Sequence, residues 1–251
     1  MKVLDTFNGL RLMASATKIF NPVEHFQGKR VAVIGAADSA FEEENGDYIE
    51  GFDYIIRINK APYALSDDKV SFVGKRTDIL FHSFFENEKS GGGPIDFDFY
   101  KELGVKYVVN PNNSFFGLKT HLSYFKRNMD DNQTYLLPWS LYRDLIKNFG
   151  KWLPTVGYSA LYSALNSGAS EVYITGFTFF KTPYADDYRD HFKDVKKNIN
   201  YIKDQDLHNP DLELKEFIKE YEASTSKVIL DRALNDIVKR NNGSRTQNGA
   251  H

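Results

Sequence analysis

The sequence predicts an α/β domain built on a largely parallel, twisted sheet with helices on both faces. Three observations carry that reading. Short apolar and aromatic runs of four to six residues recur along the chain, helical candidates separate them, and the first run ends in glycine. Residues 1–28 read as a helical or irregular lead-in to a single domain spanning 29–240. Arg30–Gly35 (RVAVIG) is apolar throughout and reads as a buried first strand. Tyr54–Ile58 (YIIRI) is the second and Asp78–His82 (DILFH) the third. Phe97–Leu103 is helical, then Lys106–Asn110 (KYVVN) is a strand. Leu141–Phe149 and Tyr158–Asn166 are helical candidates before the strand Glu171–Thr175 (EVYIT). Leu212–Tyr221 is the last of these helices and Lys227–Leu230 (KVIL) the last strand. Residues 241–251 are polar and Gly-bearing, and read as a disordered tail. In such sheets ligands bind beyond the carboxyl ends of the strands, so the residues just after each strand are the candidates.

Composition narrows the function classes. The 251 residues hold 32 Lys+Arg against 34 Asp+Glu, a net charge of -2, without the basic bias of a nucleic-acid partner. Cysteine is absent, which excludes disulfides, thiolate nucleophiles, Cys-ligated zinc and iron–sulfur clusters. The 20 Phe and 15 Tyr suit a sheet core, and tyrosine also suits sugar- or base-binding pockets. No stretch approaches the roughly 18–20 apolar residues that span a bilayer. The opening MKVLDTFNGLRLMASATKIF has charges at Asp5, Arg11 and Lys18 and no long apolar core, so it is a poor signal peptide. A cytoplasmic protein without an integral membrane segment is expected, with peripheral membrane association left open.

Standard motifs mostly fail. The first strand runs into Gly35-Ala-Ala-Asp38-Ser39, which lacks the second and third glycines of a dinucleotide site and leaves room for a single-phosphate or nucleoside contact. No phosphate-loop pattern occurs. Gly157-Tyr-Ser159-Ala-Leu161 misses the last glycine of a nucleophile elbow. Asp96-Phe-Asp98 and Asp204-Gln-Asp206 are the acidic pairs that could hold Mg²⁺ or Mn²⁺ against a nucleoside diphosphate. Asp96 also opens a helical segment, where an N-cap is the plainer role. No His cluster has metal-ligand spacing.

Four segments, taken together, resemble one family. Val31–Pro62 (VAVIGAADSAFEEENGDYIEGFDYIIRINKAP) is similar to the long donor-binding motif of the animal-type sialyltransferases, glycosyltransferase family 29. Pro154-Thr-Val-Gly157-Tyr-Ser-Ala-Leu161, running to Gly176-Phe177, resembles the short motif. His191-Phe-Lys-Asp194 is similar to the third motif and His208-Asn-Pro-Asp-Leu-Glu213 to the very short motif. Each alone is weak; their order and spacing carry the signal. The resemblance implies the sialyltransferase variant of the GT-A-like fold. It also implies inverting transfer of a sialic acid or Kdo-like 2-keto sugar acid from a CMP donor to a glycan hydroxyl.

The site residues follow from the resemblance and from their chemistry. His208 is the expected general base and His191 the expected donor to the leaving phosphate or the donor carboxylate. Tyr184 and Tyr188 are alternative phosphate donors. Thr155 and Gly157 begin a helix, whose N-terminus favours anions. Asn59 ends the second strand and can bond a base or ribose. Gly35, Asp38, Ser39, His82 and Phe177 also follow strands and are expected at the donor site. Glu213 is expected to brace the His208 segment. One phosphate carries less charge than a diphosphate, so no metal or other cofactor is expected. The acceptor is expected at the loops Phe84–Pro94 and Asn112–Lys119.

The chain departs from the animal pattern in three ways. The motif cysteines are missing, Ala36 stands where those members have Asn, and no membrane anchor opens the sequence. These departures suggest a microbial or viral-type relative and leave the donor between sialic acid and Kdo. Two other readings stay open: a metal-dependent transferase of a nucleoside-diphosphate sugar through Asp96 and Asp98, and a non-catalytic nucleotide- or glycan-binding module.

Overall fold

The structure, a computed structural model, describes residues 2–86, 92–186, 188, 194–195 and 206–248. Its eight strands are β1 (Thr17–Ile19), β2 (Arg30–Ile34), β3 (Tyr54–Ile58), β4 (Ile79–Phe81), β5 (Tyr107–Asn110), β6 (Thr134–Leu136), β7 (Glu171–Thr175) and β8 (Lys227–Leu230). They form one sheet in the order β1-β6-β5-β4-β3-β2-β7-β8, with every neighbouring pair parallel. The helices among the described residues are α1 (Lys2–Ala16), α2 (Pro22–Phe26), α3 (Gly46–Glu50), α4 (Val70–Val73), α5 (Phe97–Glu102), α6 (Phe115–Asn128), α7 (Trp139–Ile146), α8 (Val156–Leu165), α9 (Pro210–Ala223) and α10 (Arg232–Asn248).

The six strands expected from apolar runs are present because both faces of a parallel sheet are covered, which demands continuous apolar sequence. Val31, Val33, Ile56, Ile58, Ile79, Phe81, Val172 and Ile174 pack on one face with α8, α9 and α10. The alternate residues Ala32, Ile34, Ile55 and Tyr173 pack on the other with Ile49 of α3 and Val73 of α4. Leu80 and Val108 continue that alternation into a third cluster with Tyr124 and Phe125 of α6.

Three boundaries differ from the sequence expectation. The lead-in joins the domain: β1 pairs with β6 and completes the sheet edge, with Phe20 buried beside it. The acceptor loop expected over Asn112–Lys119 becomes helix from Phe115, because Ser114 caps α6 by accepting the Gly117 N–H at 3.3 Å. Its buried face includes the polar Thr120 and His121, which hides the helical pattern. The tail expected from residue 241 instead continues α10 to Asn248.

Topology fixes where a ligand can enter. From β2 the chain moves outward through β3, β4, β5 and β6, then returns to β7 on the other side of β2. The loops after β2 and β7 therefore part company at the centre of the sheet, where a crevice opens beyond the carboxyl ends. Gly35 and Gly176 sit at those two ends. Gly176 has φ +73, a left-handed turn, and a Cβ on Gly35 would fall 2.1 Å from the Gly176 carbonyl oxygen.

Candidate active site

A cavity of about 610 Å³ occupies this crevice. Its floor is made by Gly35–Ala37 and Gly176–Phe177, and its sides by Asn59, Leu153–Ser159, Thr178–Phe180, Thr182–Tyr184, Tyr188 and Leu207–His208, with Glu213 behind. Of the residues singled out in the sequence, it brings together Gly35, Asn59, Thr155, Gly157, Phe177, Tyr184, His208 and Glu213. His191 lies outside the described residues.

His208 is reached through two chain segments far apart in sequence. The Leu153 N–H donates to the Leu207 carbonyl at 2.9 Å, and the His208 Nδ1–H donates to the Leu153 carbonyl at 2.6 Å. Fixing the proton on Nδ1 leaves Nε2 as the basic ring nitrogen. Burial lowers the His208 pKa, against the opposing pull of that carbonyl, so the ring is neutral near pH 7.

Glu213 ties the same two segments together. It is 2% exposed and accepts from the Thr155 N–H at 2.7 Å and the Thr155 hydroxyl at 2.9 Å. Burial pushes its carboxyl up to about 8. Thr155 in turn caps α8, its hydroxyl accepting the Tyr158 N–H at 3.1 Å. The α8 N-terminus, with its outward N–H groups, thus opens on the cavity. Gly157 lets the Phe177 ring lie against this first turn: a Cβ there would stand 3.1 Å from Phe177 Cε1.

Asn59 departs from ordinary strand geometry. Its φ is +51, a left-handed conformation that Asn tolerates better than most residues. Its side-chain oxygen accepts the Ser83 N–H at 3.0 Å, so the Nδ2 amide is the end left to donate to a ligand. Tyr184 sits edge-on to Phe180 and 5.3 Å from the Tyr188 ring centroid, which places two phenols beside each other at the cavity wall.

Other expectations fail on geometry. His82 is fully buried rather than cavity-lining: its Nε2–H donates to the Gly92 carbonyl at 2.8 Å and its Nδ1 accepts the Phe84 N–H at 2.9 Å. Burial holds it neutral, lowering its pKa to about 4. Asp38 and Ser39 fall in a 3₁₀ turn (Asp38–Phe41) that carries them past the cavity floor. Asp38 accepts the Thr182 hydroxyl at 2.5 Å, and Ser39 is buried against Asp231. Asp96 caps α5 through the Asp98 and Phe99 N–H groups, and Asp98 is exposed beside Lys101. Neither lines the cavity, so the acidic pair proposed for a metal is a helix start. Asp204 lies outside the described residues.

Of the other cavity residues, Asn112, Phe85 and Phe116 lie in the two loops expected to meet the acceptor, whereas Ser83, Thr120 and Tyr142 were not singled out in the sequence. Tyr142 donates to Asn112 Oδ1 at 2.9 Å, and both reach the cavity with Ser83 and Thr120. Phe85 and Phe116 also reach it yet stay 43% and 48% exposed. Asn110 and Asn112, each bonding a backbone N–H two residues ahead, were the signal for an ordered turn here.

The profile of glycosyltransferase family 29 (sialyltransferase) matches residues 3–224. Among solved structures, the chain is similar to a mammalian sialyltransferase in complex with Gal-beta-1-3GalNAc-ortho-nitrophenol. The TM-score is 0.55 and the identity 15%, over 90% of this chain and 78% of that one. It is similar to the monofunctional alpha-2,3-sialyltransferase Cst-I from Campylobacter jejuni, with a TM-score of 0.52 and 15% identity over 81% and 76% of the two chains. The sialyltransferase CST-II, in complex with trisaccharide acceptor and CMP, gives a TM-score of 0.51 and 16% identity over 81% of each chain. Identities this low show a shared fold. No curated protein sequence matches the chain.

Proposed function

The chain belongs to glycosyltransferase family 29, the sialyltransferases, and from that premise we propose that it transfers an acidic 2-keto sugar from a CMP donor to a glycan hydroxyl. The observation that carries the reading is His208, a neutral imidazole held at the switch-point cavity with its proton fixed on Nδ1. An acceptor hydroxyl is a poor nucleophile at neutral pH, and a base within reach of its proton removes that barrier. The hydroxyl oxygen attacks the anomeric carbon from the face opposite the phosphate. The carbon–phosphate oxygen bond breaks, CMP leaves with the electron pair, and His208 Nε2 takes the proton. The anomeric centre inverts.

The remaining groups serve the donor. The α8 N-terminus and the Asn59 amide meet the nucleotide, and the Tyr184 and Tyr188 hydroxyls meet the single phosphate. Hydrogen bonds of this kind suffice for one phosphate, so the reading needs no metal. His191 is given a share in stabilising that phosphate from its place in the third motif alone. The acceptor passes over Phe85 and Phe116. Sialic acid is the first donor to test and Kdo the second, since both are 2-keto acids activated on CMP. No helix among the described residues is long and apolar enough to cross a membrane. A chain that holds its two nucleotide-facing segments without a disulfide suits the cytoplasm.

A donor panel of CMP-Neu5Ac, CMP-Kdo and UDP-sugars, offered with mixed glycan acceptors and read by mass spectrometry, tests this. Transfer from a CMP-sugar, unchanged by EDTA, is expected. Transfer from a UDP-sugar that EDTA abolishes would overturn it, and so would CMP binding with no turnover.

A further inference from the structure

Asp231 lies outside the cavity and beyond residue 224, where the family match ends. It is buried, and both of its carboxylate oxygens are engaged. Oδ1 accepts the Leu234 N–H at 2.8 Å and so caps α10. Oδ2 accepts three donors: the Gly176 N–H at 2.8 Å, the Thr175 hydroxyl at 3.0 Å and the Ser39 hydroxyl at 3.3 Å. A helix cap needs only the first of these four bonds. The other three reach away from α10 into the switch point.

Their targets are the two ends of the cavity floor. Asp231 fixes the peptide leading into Gly176, and the Gly176 carbonyl then accepts the Ala37 N–H at 3.0 Å. Ser39 anchors the same turn from its far side. The segment Gly35–Ala37 is thus held at both flanks by groups converging on one oxygen. The tie extends further: the Ala36 carbonyl accepts the Ala185 N–H at 3.0 Å, so the Tyr184 loop rests on this segment.

We infer that Asp231 is a positioning residue for the donor, its Oδ2 clamping the turn after β2 to the turn after β7 and so setting the floor on which the nucleotide lies. The inference rests on the CMP-donor reading. It assigns Ser39 to the clamp instead of to the ligand. It also gives a function to β8 and the start of α10, which do not line the cavity.

The test measures the CMP dissociation constant by calorimetry, donor and acceptor KM, kcat and Tm, for wild type, Asp231→Asn, Ser39→Ala, Thr175→Val and Thr175→Ser. Loss of one clamp bond in Ser39→Ala or Thr175→Val is expected to raise CMP Kd and donor KM together by about threefold to tenfold. Acceptor KM should hold, and kcat should stay within about twofold. Thr175→Ser, which keeps the hydroxyl, should restore the wild-type values. Asp231→Asn, which has one acceptor oxygen in place of two, should exceed either single loss. Should it fail to fold, the Ser39 and Thr175 variants still decide, because they leave the α10 cap intact. Variants with lowered Tm but wild-type CMP Kd and donor KM would overturn the inference and leave Asp231 a helix cap. Wild type that does not bind CMP would overturn the donor reading as well.

Discussion

The wall built from Leu153–Gly157 and Leu207–Glu213 is cross-tied by hydrogen bonds, with Glu213 buried behind it. The rim formed by the loop after β4 and the start of α6 presents Phe85 and Phe116, each more than two-fifths exposed. In the first region the side chains nearest the reaction are tied to fixed partners: His208 Nδ1 on Leu153, Glu213 on Thr155, Thr155 on the α8 backbone. The second offers the apolar contact area of Phe85 and Phe116 to the cavity. Proton transfer needs atoms held in place, whereas a sugar acceptor is recognised by flat apolar area against its C–H face. On the proposed function, chemistry belongs to one side of the cavity and acceptor recognition to the other.

The largest effect should come from breaking the tied wall at its reactive end. His208→Ala is expected to lower kcat by about 10²–10⁴-fold, the range of a positioned general base, with donor KM little changed. In wild type the acid limb of kcat should fall below pH 6.5, because burial lowers the His208 pKa. An acid limb above that value would contradict the burial argument.

Next in size is the brace. Glu213→Ala leaves the Thr155 N–H and hydroxyl without their partner and should cost about 1–3 kcal/mol of stability, read from denaturant unfolding. Glu213→Gln separates charge from packing. A carboxyl raised to about 8 in the fold, from an ordinary 4.5, binds more protons folded than unfolded between those values. Its stabilising contribution is whole below about 4.5 and is lost as pH rises toward about 8. Tm measured across that window should therefore decline more in wild type than in Glu213→Gln; parallel curves would refute the assignment.

The smallest effect belongs to the rim. Phe116→Ala and Phe85→Ala should each raise acceptor KM by about twofold to tenfold, with donor KM and Tm close to wild type. A change in donor KM instead would dissolve the division between the two regions.

Much of the fold was legible because a parallel sheet buried on both faces writes itself as apolar runs, as in RVAVIG and EVYIT. β1 and β6 were not, since TKI and TYL are three residues each and carry Thr, Lys and Tyr. Thr134 is buried in β6 with its hydroxyl bonded to the His121 ring nitrogen and to the Thr17 hydroxyl, partners that no local pattern reveals. In the site, Asn59, Thr155, Gly157 and His208, singled out through the family resemblance, come together at the cavity. Ser39 and His82 were misplaced for a shared reason. A polar residue after a strand can face the crevice or turn back into the protein, and the direction is set by tertiary partners. Asp231 stands at the end of the last strand before Arg-Ala-Leu, an N-cap pattern too short to announce either the helix after it or the clamp.

On the proposed function, a CMP donor lies on the Gly35–Gly176 floor with His208 facing its reacting carbon. A crystal structure of the protein with CMP tests it most directly. The nucleotide is expected within hydrogen-bond reach of Asn59 and the α8 N-terminus. Its phosphate should lie beside Tyr184 or Tyr188, with an open path from the sugar position to His208 Nε2. CMP bound away from the switch-point cavity, or bound there with His208 Nε2 on the phosphate side of the sugar position, would contradict it.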